Sequence, residues 1–346
     1  MDIVNEHFSW WIVPVATAFL LLIVLYLRRP PAALCLARHG VREDYAAKAR
    51  GENWQSNAER PWDPPLTANG VEQGGKLGSG IRGHLRRMGR RPITKIISSP
   101  LLRCVQTAAA AAEQLGVGEI CVEPELTEGM LEAWYRSWAV PGADSTWGGP
   151  QHSRVGTPFP AHTDVHPLAH RPGEALLFTP EMAAEALTSM GVRVGVSRTY
   201  EPIQRRLNCS KRLNWRWRDF ETDESLAERM GTALNAIASK YPGESILCCS
   251  HGGPCAHAYE QLVPPSKQLP DVQAGYTALY IFVRDGEGVD GWAAPVVADQ
   301  SHLTDGLRDA PDVADLNGPN DSAEQAKVGR GGAAAPRRRR SPARGR

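Results

Sequence analysis

Residues 33–42 read ALCLARHGVR, and residues 245–254 read SILCCSHGGP. Each stretch begins with a short apolar run, which by length and composition predicts a buried β-strand. Each predicted strand ends just before a histidine that is followed by glycine, His39 with Gly40 and His251 with Gly252. The two histidines are therefore the first candidates for a shared functional site.

Strand and helix patterns alternate along the chain between these two stretches and a little beyond them. Further strands are predicted at residues 93–98, 119–122 and 278–283. Helices are predicted from Thr67 as N-cap, over residues 100–115 with Pro100 in the first turn, and over residues 224–240. This alternation predicts an α/β fold, with a mostly parallel sheet and helices on both faces.

Cationic and imidazole side chains cluster where these elements meet. Ligands of α/β sheets bind beyond the carboxyl ends of the strands, and Arg38, His39 and His251 are all predicted there. Arg42 follows four residues after Arg38, and Arg103 lies in the first turn of a helix, whose free N–H groups favour anions. The glycine after each histidine would let a ligand approach the backbone. We favour a phosphate pocket over separate salt-bridge arginines and core histidines.

Five segments resemble the histidine phosphatase superfamily, also called the phosphoglycerate-mutase-like fold, and they occur in that family's order. They are LARHGVR (36–42), DPPLTANGVEQG (63–74), ITKIISSPLLRCVQTA (93–108), VEPELTEGM (122–130) and ILCCSHGGP (246–254). The likeness is closest to the phosphatase domain of the Sts (suppressor of T-cell receptor signalling) proteins. It is carried there by DPPLT, SPLLRCVQTA, LLFTPEMAAEAL (176–187) and TYEPI (199–203).

The resemblance implies a role for each residue of these motifs. His39 would be the nucleophile that forms a phosphohistidine, while Arg38, Arg42, Arg103 and His251 would surround the phosphoryl oxygens. Positioning and fixed positive charge would then supply most of the rate. The family's chemistry implies that no metal and no other cofactor is required.

The resemblance also implies a general acid after the third strand. Glu128 aligns best, in EPELTEG, where Sts-like domains carry EPxLxEW, although Gly129 stands where that motif has an aromatic residue. Glu123, Glu125 and Glu132 are near enough in the sequence to compete for the same role. We favour Glu128.

Two departures from related families narrow the expected reaction. Phosphoglycerate mutases read RHGxSxxN, whereas Val41 and Arg42 follow the glycine here and neither the Ser nor the Asn is present. Histidine acid phosphatases place Asp after the second histidine, whereas Gly252 follows His251. The resemblance therefore favours a phosphomonoesterase of the mutase-like branch.

Residues 8–27, FSWWIVPVATAFLLLIVLYL, contain no charged side chain. A helix of that length spans about 30 Å, the hydrocarbon core of a bilayer, which predicts an N-terminal transmembrane helix. A signal peptide and a buried core helix are the alternatives. Because Arg28 and Arg29 follow the segment and Asp2 and Glu6 precede it, the positive-inside rule predicts a single-pass protein with its catalytic domain facing the cytosol. The organelle stays open, with a mitochondrial membrane among the choices.

The formal net charge of +1 over 346 residues conceals an uneven distribution. Residues 327–346 carry eight Lys and Arg and no acid, and +1 less these eight leaves −7 for the rest of the chain. An acidic body argues against a nucleic-acid-binding core domain. Residues 301–346 are predicted to be a disordered tail. Its basic end binds anionic lipid, RNA or an acidic partner, serves as a nuclear-import-like patch, or is simply solvated. Seven cysteines without CxxC spacing indicate a reducing compartment.

The sequence thus divides into a membrane anchor at 8–27, a histidine-phosphatase-like domain at 33–300 and a tail at 301–346. Within the domain, residues 133–173 are predicted to be an irregular insertion, rich in Pro, Gly and Trp. His162, His166 and His170 have helical spacing in this insertion, but prolines interrupt the helix, so no metal site is predicted.

The predicted function is a membrane-anchored phosphatase that hydrolyses phosphomonoesters through a phosphohistidine, with phosphoprotein favoured over small phosphorylated molecules. The alternative is a non-catalytic subunit of a membrane protein complex, which would dock through the basic tail and the tryptophans of the insertion, Trp134, Trp138 and Trp147. The third hypothesis is a mutase or a small-metabolite phosphatase.

Overall fold

The computed structural model describes residues 32–140, 142–143, 177–203, 220–284 and 291–308. The predicted membrane span at residues 8–27, most of the insertion at 133–173, and the tail beyond residue 308 lie outside these ranges. His162, His166, His170 and Trp147 therefore lie outside the described residues as well. None of the helices in the described ranges combines the length and the apolar composition that a bilayer crossing requires.

The described residues contain seven strands that form one sheet. The strands are β1 (Leu34–Arg38), β2 (Ile93–Ser98), β3 (Glu119–Val122), β4 (Gly195–Val196), β5 (Ser245–Ser250), β6 (Leu279–Arg284) and β7 (Trp292–Asp299). Their spatial order is β4-β3-β2-β5-β1-β6-β7. The neighbouring pairs from β4 across to β1 are parallel. Strand β6 is antiparallel to both of its neighbours, β1 and β7. The predicted mostly parallel sheet is confirmed.

Helices cover both faces of this sheet. They are α1 (Glu43–Ala49), α2 (Ala68–Arg87), α3 (Leu102–Leu115), α4 (Glu132–Ala139), α5 (Pro180–Ser189), α6 (Asp223–Lys240), α7 (Gly252–Leu262) and α8 (Asp305–Arg308). The apolar sides of α2, α3 and α5 pack on one face and those of α6 and α7 on the other. Successive β1 residues alternate between the two cores, with Cys35 in the first and Leu36 in the second. This is the pattern of a strand buried on both sides.

The N-termini of α2 and α3 differ in how their first amides are satisfied. The Thr67 side chain accepts a hydrogen bond from the Gly70 amide at 3.0 Å, which confirms it as the N-cap of α2. The prediction that Pro100 lies in the first turn of the next helix is wrong, because α3 begins at Leu102. The Leu102 amide donates to Asp63 Oδ1 at 2.7 Å, so a carboxylate from a distant loop caps this helix.

The start of the predicted insertion is helical rather than irregular. Helix α4 buries Trp134, Tyr135 and Trp138 in a small aromatic core together with Trp62. The Trp62 and Trp138 rings lie 5.1 Å apart. The aromatic residues of this segment therefore pack inward against the domain, and Trp134 and Trp138 are not exposed docking residues.

The boundary between domain and tail lies later than the predicted residue 301. Strand β7 pairs with β6, and residues 301–308 fold back onto the domain. Leu303 and Leu307 are buried, and the Gln73 side-chain amide donates to the Leu307 carbonyl at 2.7 Å. The predicted disorder is wrong for these eight residues, because two leucines and one backbone hydrogen bond hold them against α2.

The turn after β1 lies directly against the start of α2. A Cβ atom added to Gly40 would lie closer than 3.0 Å to the Gly70 carbonyl oxygen, and one added to Gly70 would meet the Val41 carbonyl oxygen equally closely. Gly40 therefore serves the approach of one backbone to another. The expectation that it makes room for a ligand is wrong, since protein backbone already fills that space.

We expect Gly70→Ala to destabilise the domain by about 1–3 kcal/mol, because the added methyl group is forced into the Val41 carbonyl. Gly75→Ala is the matched control, since it lies in the same helix and its added Cβ would meet nothing closer than 3.8 Å. That control should gain up to about 1 kcal/mol from helix propensity. Denaturant unfolding of both variants measures the difference, and equal stabilities would contradict the close approach.

Candidate active site

Parallel pairing of β1 with β5 brings the two histidines together. In the register of this pair Arg38 lies opposite Ser250, so His39 and His251 leave neighbouring strands side by side. The His39 amide donates to the Ser250 carbonyl at 3.0 Å, and the two imidazole centroids lie 5.3 Å apart. The structure thus confirms that both histidines lie at the carboxyl edge of the sheet.

The His39 ring is held in a single tautomer. Its Nδ1 lies 2.8 Å from the carbonyl oxygen of Gly40. Because a carbonyl oxygen can only accept, Nδ1 carries the proton and Nε2 keeps a lone pair. Burial holds the pKa of His39 well below its ordinary value, and Arg103 and Arg38 lower that pKa further. His39 is therefore a neutral imidazole with one basic nitrogen.

A serine that sequence reasoning missed orients His251. Ser99 Oγ lies 2.8 Å from Nε2 of His251, and the Leu101 amide donates weakly to the same hydroxyl at 3.4 Å. The hydroxyl thus accepts from the amide and shares a hydrogen bond with Nε2, which fixes the orientation of the His251 ring. Nδ1 lies 3.4 Å from Glu128 Oε2. Burial, followed by Arg103, holds the pKa of His251 well below its ordinary value.

Arg103 is a fully buried cation beside these histidines. Its Nη1 donates to the Trp62 carbonyl at 3.4 Å and lies 3.7 Å from Asp63 Oδ1, while Nη2 lies 3.8 Å from Glu128 Oε2. Its Nε and Nη2 make no hydrogen bond to any residue within the described ranges. Buried donors without acceptors are costly, so an anion that accepts from both atoms would stabilise this side chain.

Helix α3 also holds the turn that carries His39. The Gly40 amide donates to Thr107 Oγ1 at 3.0 Å, and that hydroxyl donates in turn to the Arg103 carbonyl at 2.8 Å. The nucleophile candidate and the buried arginine are thus positioned by one hydrogen-bonded link.

Arg38 is oriented by the loop that precedes β6. Its Nη1 donates to the Ala274 carbonyl at 2.7 Å, and the guanidinium lies 4.2 Å from the centroid of the Tyr276 ring. A Cβ atom on Gly252 would lie 3.4 Å from Arg38 Nε. Gly252 therefore lies in van der Waals reach of the arginine side chain at the start of α7.

Arg42 is held by a carboxylate two residues further along the chain. Asp44 accepts from Arg42 Nε at 2.6 Å and from Nη2 at 2.5 Å, and the Tyr45 ring lies 4.2 Å from the guanidinium carbon. Burial alone would lower the pKa of Arg42, but the Asp44 carboxylate raises that pKa above its ordinary value. Sequence reasoning missed Asp44, although its place next to the RHGxR motif was a usable signal.

Among the four competing acids, Glu128 is the one next to the histidines. Glu123 is buried elsewhere, since its Oε2 accepts from the Tyr200 hydroxyl at 2.7 Å and from the Ile203 amide at 2.8 Å. Glu132 forms an ion pair with Arg136 at 2.7 Å. The Glu125 amide donates to Glu123 Oε1, which caps a short 3-10 helix, Pro124–Leu126. The structure therefore places Glu128 in the candidate site and ties Glu123 and Glu132 to other partners.

Burial raises the pKa of the Glu128 carboxyl, and the positive charge of Arg103 opposes this rise. The Gly129 amide donates to Glu128 Oε1 at 3.1 Å, which leaves Oε2 toward His251 and Arg103. Within the described residues, no group of three or more His, Cys, Asp or Glu side chains has the arrangement of a metal site.

A match to a protein-family model agrees with this geometry. The model is that of the histidine phosphatase superfamily (branch 1), and it matches residues 34–146 and 188–293, more than half of the chain. The chain belongs to this superfamily. It is accordingly a phosphatase, and the predicted membership is confirmed.

The chain is also similar to solved structures of other proteins. They include ecdysone phosphate phosphatase from Bombyx mori, with 19% identity, a TM-score of 0.46, and 76% of this chain and 91% of that chain covered. A phosphoserine phosphatase from Entamoeba histolytica has 16% identity and a TM-score of 0.42, with 79% and 100% covered. A mycobacterial glucosyl-3-phosphoglycerate phosphatase has 17% identity and a TM-score of 0.41, with 77% and 98% covered.

Comparison with curated protein sequences finds no significant match. The finer likeness of this histidine phosphatase to the Sts-type domain stays a prediction.

We expect Asp44→Asn to destabilise this histidine phosphatase by about 3–5 kcal/mol, because it leaves the buried Arg42 guanidinium without its counter-charge. Glu43→Gln is the matched control, since Glu43 pairs with Arg50 at the surface and surface changes stay within about 0.5 kcal/mol. Denaturant unfolding gives both values. An Asp44→Asn variant as stable as the control would show that the pair does not hold Arg42.

Proposed function

We propose that this histidine phosphatase is anchored to a membrane and removes phosphate from phosphoproteins through a phosphohistidine at His39. Arg38, Arg42, Arg103 and His251 bind the phosphoryl oxygens in this proposal, and Glu128 is the general acid. No metal or cofactor takes part.

The observation that carries the proposal is the surroundings of Arg103. A buried guanidinium with two donors lacking acceptors among the described residues lies between a neutral histidine and a protonatable carboxyl. A phosphoryl group supplies the acceptors that Nε and Nη2 lack. It also supplies the negative charge that offsets three neighbouring arginines. The same side chains would bind a neutral ligand or a cation less tightly than a phosphoryl group.

The first step transfers the phosphoryl group to the enzyme. The lone pair of His39 Nε2 attacks phosphorus, the bond from phosphorus to the ester oxygen breaks, and the leaving oxygen takes the Glu128 proton. The hydrogen bond from Nδ1 to Gly40 keeps the ring aligned and stabilises the positive charge that develops on it. The products are a phosphohistidine, a Glu128 carboxylate and the free alcohol or phenol.

The second step returns the enzyme to its starting state. A water molecule attacks the phosphohistidine while the Glu128 carboxylate accepts its proton. The bond from phosphorus to Nε2 breaks, and that nitrogen regains its lone pair. Inorganic phosphate leaves, with His39 neutral and Glu128 protonated again.

Sequence features support the remaining parts of the proposal. The uncharged residues 8–27 and the arginines that follow them support an anchor with the catalytic domain in the cytosol. The likeness to Sts-type domains supports a phosphotyrosine or other phosphoprotein substrate. The basic residues 327–346 support a contact with anionic lipid or with an acidic partner in a membrane complex.

We expect a labelled phosphotyrosine peptide to transfer its phosphate to His39, so that rapid quenching at high pH traps a phosphohistidine. His39→Ala should lose this adduct and reduce kcat/KM by about four orders of magnitude or more, because it removes the nucleophile. The matched control is His257→Ala, which replaces a partly exposed histidine of α7. This variant should form the adduct and keep the wild-type kcat/KM.

A folded protein that releases no phosphate from p-nitrophenyl phosphate or phosphotyrosine would contradict phosphatase chemistry. Such a result would favour the non-catalytic subunit. Faster turnover of phosphorylated sugars or glycerates than of phosphopeptides would contradict the phosphoprotein substrate alone.

We also expect kcat/KM to follow a bell-shaped pH profile. His39 attacks when neutral, so the rate rises with pH through a pKa that burial holds below its ordinary 6.5. Glu128 donates when protonated, so the rate falls as pH passes a pKa that burial holds above its ordinary 4.5. Glu128→Gln should remove the alkaline limb and lower kcat about 10²- to 10⁴-fold.

Glu119→Gln serves as the control for the pH profile, because Glu119 is an exposed residue at the start of β3. Its profile should match that of the wild type. If Glu128→Gln kept the alkaline limb, another group would be the general acid.

A further inference from the structure

The chain enters the described domain at the end of the sheet that lies opposite the candidate site. Ala32 and Ala33 precede β1 at its amino end, whereas His39 follows β1 at its carboxyl end. Arg90 Nη1 donates to the Ala32 carbonyl at 3.3 Å, so the entering chain lies against the loop between α2 and β2. At about 3.3 Å per residue, the five residues of β1 separate the two ends by about 16 Å.

The last turn of α2 and this loop form a concentrated basic surface. Residues 86–91 read RRMGRR, and no acidic residue occurs between residues 82 and 95. Arg86 and Arg87 are exposed, and Arg91 donates to the Gly243 carbonyl in the loop before β5. We call this surface, made of Arg86, Arg87, Arg90 and Arg91 beside the entry of the chain, the amino-end face.

A cavity of about 300 Å³ opens beside the amino-end face, with Ala32 and Arg90 in its lining. Tyr241, Glu244, Arg284 and Trp292 also line it. The Arg284 guanidinium lies 4.0 Å from the centroid of the Trp292 ring, and Glu244 accepts from Thr94 at 2.9 Å. Arginine beside Trp and Tyr is the composition that proteins present to phospholipid headgroups.

Chain length limits how far this face can lie from the apolar segment. Five peptide steps join Leu27, the last residue of the apolar run, to Ala32, and they reach at most about 18 Å. Two of the four intervening residues are Arg28 and Arg29. If residues 8–27 cross a bilayer, Ala32 and its neighbouring arginines therefore lie at the level of the headgroups or just beyond it.

We propose that the amino-end face docks on anionic phospholipid headgroups, an inference that rests on the membrane anchor of the proposed function. Docking by this end turns the carboxyl ends of β1 and β5, with His39 and His251, away from the bilayer. The active site then reaches phosphoesters on cytosolic or peripheral proteins and not the headgroups of the membrane that holds it.

The test uses the full chain in lipid nanodiscs, made either of phosphatidylcholine alone or with added phosphatidylserine. Amide hydrogen exchange of residues 84–93 reports docking, and hydrolysis of p-nitrophenyl phosphate reports an intact fold. We expect slower exchange in the anionic discs only. Arg86→Glu with Arg87→Glu should lower the equilibrium constant for docking about 30-fold or more, with p-nitrophenyl phosphate hydrolysis unchanged.

Lys48→Glu with Lys76→Glu is the matched control. It changes the net charge equally, on α1 and on the middle of α2, away from the amino-end face. This variant should keep the protection of residues 84–93. If both double variants lost this protection equally, net charge alone would explain the effect, and a specific docking face would be overturned.

Two further results would separate failure of the docking from failure of the anchor. A chain that incorporates into nanodiscs but exchanges equally in both lipids would overturn the docking alone. A chain that does not elute with the nanodiscs would overturn the anchor, and the docking with it.

Discussion

The parallel pairing of β1 with β5 is the constraint on which the candidate site depends. The register that sets Arg38 opposite Ser250 makes His39 and His251 leave the sheet as neighbours. A slip of one residue would turn every β1 side chain to the other face. It would move Cys35 out of one core and Leu36 out of the other. Burial on both faces therefore fixes the position of the two imidazoles.

Positive charge buried around these histidines defines the chemistry. Arg38, Arg42 and Arg103 are buried, and each guanidinium has different partners. Arg38 has a carbonyl and an aromatic ring, Arg42 has the Asp44 carboxylate, and Arg103 has partners at ion-pair distance but two donors without hydrogen bonds among the described residues. The same cations, together with burial, keep both histidines neutral. A neutral histidine thus lies beside fixed cations, which is the arrangement that phosphoryl transfer requires.

The two ends of the sheet carry different properties. The carboxyl end holds the histidines and Glu128, whereas the amino end receives the chain and presents the arginines of residues 86–91. The folded segment of residues 301–308 lies on α2, the helix that links these ends. One sheet thus separates the candidate phosphate site from the surface proposed to meet anionic headgroups, although both contain arginine.

Much of this architecture could be read from the chain alone. Apolar runs and the polar residues after them predicted β1, β2, β3 and β5, and the motif order predicted His39, His251, Arg103 and Glu128. Those signals are local, since they depend on side-chain period and on residues within one short segment. The helical start of the insertion and the folding of residues 301–308 were missed, because burial of Trp138 or Leu307 depends on partners far away in sequence.

The sequence by itself determined the α/β class, the family and the candidate residues for a phosphate site. Tertiary structure decided how those residues are held, by Ser99 on His251 and by Asp63 at the start of α3. It also decided that Gly40 makes room for protein backbone and that Glu123 belongs to other partners. Hydrogen bonds and close contacts across long sequence separations exist only once the chain has folded, and no local pattern encodes them.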